Sequence, residues 1–251
     1  MSKLKTYVTL ILDQSGSMCG TKAQAVQGYN EQVQQMRLNS KDQDIFCSLV
    51  TFNGEIFEHL WCEKAELLAE ASVEDYKTEG STALRDAIGF TIEKLKKTTD
   101  DKDAAYLVII ISDGEENAST HYGPAALREL KDSVDRTGKW TFTYMGCDDR
   151  YLMKVAKELN IPTSNMAKWS NSSPELAMRG QKMNARKMKG YYAARACGQT
   201  QNSNVYNDVC SLADFTKEEA CVGLDVNVNV SAEAKVEGSV TPFKNYSPVS
   251  W

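Results

Sequence analysis

Residues 6–12 read Thr-Tyr-Val-Thr-Leu-Ile-Leu and lead directly into Asp13-Gln14-Ser15-Gly16-Ser17. A run of seven residues that are apolar or β-branched is typical of a strand buried on both faces of a sheet. The polar residues behind it predict a loop at the carboxyl end of that strand. Because such a strand needs helices on both sides, this stretch indicates an α/β fold.

Strands and helices alternate from this stretch to about residue 170. The patterns predict further strands over 44–52, 55–61, 104–112, 140–145 and 165–169, and helices over 21–37, 82–97, 125–137 and 151–159. Strands separated by helices of ten or more residues predict βαβ units and a doubly wound, mostly parallel sheet. Asn53-Gly54 is a strong hairpin signal, so one antiparallel edge strand is expected.

The alternation of strands and helices ends after Pro162. This predicts one domain over residues 1–170 and a C-terminal extension over 171–251. The extension begins with a basic helix over 174–192, interrupted by Gly180, and continues as a loop over 198–207. Residues 226–240 alternate apolar and polar side chains, as a strand with one solvent-exposed face does. That strand either packs on its own domain or adds to the sheet of another chain.

Charge is distributed unevenly along the chain. The net charge is −5, and residues 176–207 carry six basic side chains and no acid, so the remainder carries −5 − 6 = −11. An acidic remainder argues against a nucleic-acid partner. The basic segment either grips an anionic surface or packs its Met and Tyr side chains on the domain while its Lys and Arg face water. The absence of a nucleic-acid-binding motif favours packing.

Membrane and secreted classes of protein are not indicated. No apolar run reaches the roughly 18 residues of a membrane span, and the N-terminal apolar run is too short for a signal peptide. The cysteines are odd in number and form no Cys-x-x-Cys pair, which predicts reduced thiols in a cytoplasmic protein. They are Cys19, Cys47, Cys62, Cys147, Cys197, Cys210 and Cys221.

Small oxygen-bearing side chains follow two predicted strands and precede one predicted helix. In a doubly wound sheet, ligands bind beyond the carboxyl ends of the strands. Hard divalent cations prefer oxygen ligands, and a site with few charged ligands leaves the cation electrophilic. The sequence therefore predicts a site for Mg²⁺, or for Mn²⁺ or Ca²⁺ in its place, formed by Asp13, Ser15, Ser17, Thr82 and Asp113.

Asp13-x-Ser15-x-Ser17, Thr82 within Gly-Ser-Thr-Ala-Leu-Arg-Asp-Ala-Ile, and Ile111-Ser112-Asp113-Gly114 resemble the three parts of the metal-ion-dependent adhesion site of von Willebrand factor A domains. The resemblance covers roughly residues 5–170 and is greatest to short prokaryotic and phage-encoded members, including the tellurite-resistance-associated type. It implies a Rossmann-like fold, a divalent cation and protein partners, sometimes in complexes with ATPases.

Three functions are compatible with these features. The preferred one is a protein-binding module whose cation binds an Asp or Glu of the partner, with no enzymatic activity. The second is a structural component of a virion or other assembly, joined through its C-terminal strand. The third, a metal-dependent hydrolase, is disfavoured because the sequence offers no P-loop and no nucleophile–histidine pair.

Two smaller expectations concern residues near the site. Glu115 and Glu116 follow the site aspartate and resemble a catalytic acid–base pair, but a solvated loop is the expectation. Cys19 follows Ser17 closely and is either a redox-sensitive thiol or, as we expect, a packed side chain.

Overall fold

Six strands form a single sheet in the order β3-β2-β1-β4-β5-β6. The structure, a computed structural model, describes residues 4–41, 43–99, 103–113, 116–168, 188–202, 205, 242–243 and 247–250. The strands are β1 (Lys5–Asp13), β2 (Asp44–Phe52), β3 (Ile56–Lys64), β4 (Ala105–Ile111), β5 (Trp140–Gly146) and β6 (Met166–Lys168). Each lies within a few residues of its predicted position.

The strand directions confirm the predicted topology. Neighbouring strands pair in parallel except β2 and β3, which are antiparallel and joined through Asn53-Gly54. The C-terminal residues reach this antiparallel strand, because Val249 N donates a 2.8 Å hydrogen bond to Ile56 O. The order reverses between β1 and β4, so the crevice beyond their carboxyl ends is where this type of sheet places a ligand.

Four helices cover the two faces of the sheet: α1 (Lys22–Asn39), α2 (Leu84–Thr98), α3 (Pro124–Asp135) and α4 (Asp149–Leu159). Alternate side chains of β1 pack into the two hydrophobic cores, one on each face of the sheet. Leu10 packs in the core that contains α1, and Ile11 packs in the core that contains α2, α3 and α4. This confirms the reading of residues 6–12 as a strand buried on both faces. Within the described residues, every helix is too short or too polar to cross a membrane.

Residues 188–196 form a fifth helix, α5, on the same face of the sheet as α1. Met188, Tyr191 and Tyr192 are buried in the α1 core, which confirms for these three side chains that the basic segment packs on the domain. Met178 and Met183 of the same segment lie outside the described residues. The expectation that its charged side chains all face water is wrong for Arg195, which is 1% exposed. Its guanidinium is held by backbone carbonyls, as described in the Discussion.

The chain after α5 also lies against the sheet. Thr200 Oγ1 donates to Gly138 O at 2.7 Å, and Asn202 N donates to Thr141 Oγ1 at 3.0 Å. The part of the extension that is described therefore packs on the sheet. The predicted helical residues 174–187 and the predicted strand 226–240 lie outside the described residues, and the boundary at residue 170 stays a prediction.

Glu31 on α1 is a half-buried carboxylate that should make the stability of the domain depend on pH. Its Oε2 atom has no hydrogen-bond partner within the described part of the chain, and burial raises the pKa of Glu31 from 4.5 to about 7. Because the folded state holds the charged form poorly, Glu31 costs stability above pH 7, and this cost disappears as the pH falls towards 4.5. Glu31→Gln should raise the free energy of unfolding by about 1–2 kcal/mol at pH 8.

Urea unfolding of wild type and Glu31→Gln at pH 8 and at pH 4 checks this prediction. The two proteins should be nearly equal at the lower pH, since the wild-type side chain is then protonated in both the folded and unfolded states. A variant that is less stable than wild type at pH 8 would contradict it.

Candidate metal centre at the carboxyl edge of the sheet

Three loops meet at the edge of the sheet where β1 and β4 end. Leu12 is in register with Ile111 on the neighbouring strand, so Asp13 and Asp113 leave adjacent strands at the same edge. The loop before α2 joins them, because Gly16 N donates a 3.0 Å hydrogen bond to Gly80 O. The structure thus brings together the three segments that carry the five predicted ligands.

Asp13 occupies the deepest position of the site and is fully buried. Its Oδ1 atom accepts a hydrogen bond from Ser15 N at 2.8 Å, and its Oδ2 atom accepts one from Ser112 Oγ at 2.6 Å. Tyr76 Oη donates to the carbonyl oxygen of Asp13 from the segment before α2. These contacts fix the carboxylate and turn the chain that follows it, as aspartate side chains commonly do in loops.

Ser15 and Ser17 present their hydroxyls together. The two Oγ atoms are 3.1 Å apart, although Ser15 is buried and Ser17 is exposed. Gly16 between them lies against the neighbouring loop, where a Cβ atom would come within 3.3 Å of Gly80 O. The small residue allows this close approach. The hydroxyls of Ser15 and Ser17 therefore lie side by side at this edge of the sheet.

Thr82 is buried and held by the loop that follows Asp113. Thr82 N donates to Asn117 Oδ1 at 2.9 Å, and Thr82 O accepts hydrogen bonds from Asn117 N and Ala118 N, both at 3.0 Å. Since Asn117 follows Asp113 by only four residues, these bonds tie the two ligand-bearing loops to each other.

The electrostatics of the site favour a cation. Burial raises the pKa of Asp13 to about 6, the hydrogen bonds from Ser112 and Ser15 oppose that rise, and repulsion from Asp113 adds to it. Asp113 therefore lies close enough to Asp13 for the two carboxylates to repel each other. The Oδ1 atom of Asp113 is buried without a hydrogen-bond partner among the residues that the structure describes. Buried carboxylate oxygens normally have partners, so this atom needs an explanation.

The residues present fit a hard divalent cation. No group of three histidine, cysteine, aspartate or glutamate side chains that could hold a metal occurs in the described ranges, so a Cys/His type of site is not formed there. The five candidate side chains instead offer two carboxylates and three hydroxyls. Oxygen ligands of this kind suit Mg²⁺ and Mn²⁺, with water filling the remaining positions.

Two expectations near the site are wrong. Glu116 is not in a solvated loop: its side chain is 6% exposed and accepts hydrogen bonds from Arg85 N at 2.8 Å and from Ser119 N at 2.9 Å. It caps α2, because a carboxylate is favourable where a helix leaves its first N–H groups unpaired. Glu115 lies outside the described residues. Cys19 is exposed, so the expectation that it is packed is also wrong.

The contacts of Ser112, Tyr76 and Asn117 were not predicted from the sequence. Ser112 lies inside the motif that contains Asp113, so its proximity to the site had a signal in the sequence. Asn117 ends the stretch Ser-Asp-Gly-Glu-Glu-Asn over residues 112–117, which resembles that of family members, but its contact with Thr82 depends on the tertiary fold. Tyr76 also contacts the site through the tertiary fold, and no pattern in its neighbourhood marks it.

Comparison with known proteins gives a family and a fold. The family model of the von Willebrand factor type A domain matches residues 8–165, which is more than half of the chain. A search of curated protein sequences finds no match.

Two solved structures are similar in fold. The vWF domain of the type V pili tip protein Mfa5 from Porphyromonas gingivalis aligns with a TM-score of 0.55 at 10% identity, over 76% of this chain and 97% of that chain. The PilB minor pilin from Streptococcus sanguinis aligns with a TM-score of 0.50 at 9% identity, over 76% of this chain and 63% of that chain. At such identities these structures show a common fold alone. With its six-stranded sheet and the family match over residues 8–165, this chain belongs to the von Willebrand factor type A domain family.

Proposed function

We propose that this domain is a metal-ion-dependent protein-binding module. In this proposal a divalent cation, Mg²⁺ or Mn²⁺, is held by Asp13, Ser15, Ser17, Thr82 and Asp113, and it binds an Asp or Glu carboxylate of a partner protein. The observation that carries the proposal is the buried Oδ1 atom of Asp113, which lacks a hydrogen-bond partner within the described residues, beside the fully buried Asp13.

Some side chains of the site supply negative charge, and others orient the ligands or act as neutral ligands. Asp13 and Asp113 supply the negative charge, and Ser112 fixes the Asp13 carboxylate by its 2.6 Å hydrogen bond. The paired hydroxyls of Ser15 and Ser17 supply neutral ligands. When bound, the cation supplies a Lewis-acidic position that accepts a carboxylate oxygen. Because two carboxylates balance a divalent charge, an incoming anion is not repelled.

The proposal assigns the site no reaction. The nitrogen Nε2 of His59 is engaged by Thr51 Oγ1 at 2.7 Å, within the sheet between β2 and β3. The ring nitrogen Nδ1 of His121 lies 3.3 Å from Asp86, which caps the loop before α3. Both rings are thus in structural contacts away from the five candidate ligands, and a binding role needs neither.

A direct test of the cation site is titration of the purified chain with Mn²⁺ by calorimetry. Wild type should bind one ion, and Thr82→Ala should bind it at least about 10-fold more weakly, since even outer contacts of a metal ligand are typically worth that much. Thr98→Ala is the matched control, because Thr98 lies at the opposite end of α2, where its hydroxyl donates to Lys94 O and accepts from Trp61 Nε1. Equal affinity in all three proteins would contradict the proposal.

The partner is sought by affinity capture from the source cell with Mg²⁺ and with EDTA. A specific partner should be retained with Mg²⁺ and lost with EDTA and with Thr82→Ala, and an Asp or Glu substitution in the partner should reproduce the loss. Capture that survives both treatments excludes the cation as the contact. If truncation after residue 207 then abolishes higher assemblies that Thr82→Ala leaves intact, the structural role takes its place.

A further inference from the structure

The N-terminus of α2 is capped by a different loop rather than by its own N-cap residue. Ala83 precedes the helix and provides no side-chain hydrogen bond. Instead, Arg85 N donates to Glu116 Oε2 at 2.8 Å and Asp86 N donates to Ser119 Oγ at 3.1 Å. Helix N-termini need such acceptors, and here residues 116–119 provide them.

The capping is reciprocal. The carboxylate of Asp86 accepts hydrogen bonds from the backbone N–H groups of Thr120 at 2.8 Å, His121 at 3.1 Å and Tyr122 at 2.8 Å. Asp86 is 4% exposed, so these bonds are largely shielded from water. The loop over residues 116–122 and the first turn of α2 therefore form one hydrogen-bonded unit.

Asn117 lies at the point of this unit that is nearest to the candidate ligands. Its Oδ1 atom accepts from Thr82 N at 2.9 Å, and its own N–H donates to Thr82 O at 3.0 Å. One residue thus holds the backbone of Thr82 on both sides. Because Asn117 follows Asp113 by four residues, these contacts hold Thr82 against the loop that follows Asp113.

We propose that Asn117 is a positioning residue of the cation site, which fixes the Thr82 hydroxyl relative to the Asp113 carboxylate. This inference rests on the proposed function. Its physical reason is that a small cation demands near-ideal octahedral geometry, so an error in the position of one ligand weakens the whole site. Asn117 contacts a ligand rather than the cation, which is how outer contacts of metal ligands act.

The test compares Mn²⁺ affinity and the melting temperature of the metal-free protein for variants of Asn117 and of Ser119. Asn117→Ala removes the acceptor for Thr82 N and should weaken Mn²⁺ binding by roughly 10- to 100-fold. Asn117→Asp keeps an oxygen at the Oδ1 position and should restore affinity to wild type or above, because its added charge also attracts the cation. If Asn117→Ala does not fold, Asn117→Gln is used as the test variant instead, because its longer side chain displaces the acceptor oxygen.

Ser119→Ala separates positioning from general loosening of the loop. It removes the Ser119 hydroxyl, which accepts a hydrogen bond from Asp86 N in the same unit. That bond does not involve Thr82. It should lower the melting temperature about as much as Asn117→Ala does, yet leave Mn²⁺ affinity within about 3-fold of wild type. Equal losses of affinity in Ser119→Ala and Asn117→Ala would overturn the inference, as would full affinity in Asn117→Ala. A wild-type chain that binds no Mn²⁺ would instead overturn the proposed function.

Discussion

Asp13→Asn should abolish divalent-cation binding while the metal-free domain stays folded and at least as stable as wild type. The variant removes a charge that is fully buried and has no cationic side chain among its described contacts. Asn keeps the shape of Asp: its Oδ1 atom accepts from Ser15 N as before, and its amide nitrogen donates to the Ser112 hydroxyl, which reverses its role. The loss of one of the two negative charges proposed to hold the cation should weaken Mn²⁺ binding more than about 100-fold, beyond the effect of outer contacts.

Calorimetric titration with Mn²⁺ and thermal unfolding in EDTA measure the two effects separately. Asp13→Ala is the less informative variant, because it leaves the Ser15 and Ser112 donors unpaired, at a cost of about 1–3 kcal/mol. If Asp13→Asn binds Mn²⁺ as wild type does, Asp13 is not part of a cation site. If it unfolds in EDTA at a much lower temperature than wild type, the contacts assigned to Asp13 are wrong.

Arg195→Met should produce the largest loss of stability, about 3 kcal/mol. The buried guanidinium donates to Asp103 O at 2.6 Å and to Lys5 O at 3.0 Å, and it also reaches Thr6 Oγ1 at 3.2 Å. These acceptors lie at the amino ends of β1 and β4, so one side chain of α5 satisfies backbone groups of two central strands. Methionine fills much of the space but donates no hydrogen bond to any of these acceptors.

Urea unfolding of Arg195→Met and of Lys189→Met checks this effect. Lys189 is an exposed residue of the same helix, and its variant should lie within about 0.5 kcal/mol of wild type. Arg195→Lys should recover part of the loss, since an ammonium group retains a donor. If Arg195→Met matched Lys189→Met, α5 would not be anchored to the sheet through this residue.

The sheet could be predicted because its strands are encoded locally. Residues 6–12 and 105–111 are buried on both faces, so each run consists of apolar or β-branched residues throughout and its pattern does not depend on its neighbours. The same is true of the hairpin, since Asn53-Gly54 favours the turn by its own backbone preferences.

Arg195 shows the opposite case. In the sequence it belongs to a segment rich in Lys and Arg, and such side chains normally face water. Its burial depends on carbonyl groups at residues 5 and 103, which lie far away along the chain. A pattern within one helix carries no information about acceptors contributed by strands from elsewhere.

The candidate site divides in the same way. The meeting of the segments that carry the candidate ligands could be predicted, because the carboxyl ends of adjacent parallel strands place motif residues at one edge. The residues that hold the ligands could not, because Tyr76 and Asn117 act through contacts made only in the folded chain. Glu116 was misjudged for this reason: its acceptor role at the start of α2 depends on how two loops meet.

A crystal structure of the chain grown with Mn²⁺, with an anomalous difference map recorded for manganese, shows whether the three loops hold a cation. We expect one strong peak within about 2.1 Å of the Ser15 and Ser17 hydroxyl oxygens, with Thr82 and the two aspartates bound directly or through water. A map with no peak at this edge, or with its only strong peak elsewhere on the domain, would contradict the proposed cation site.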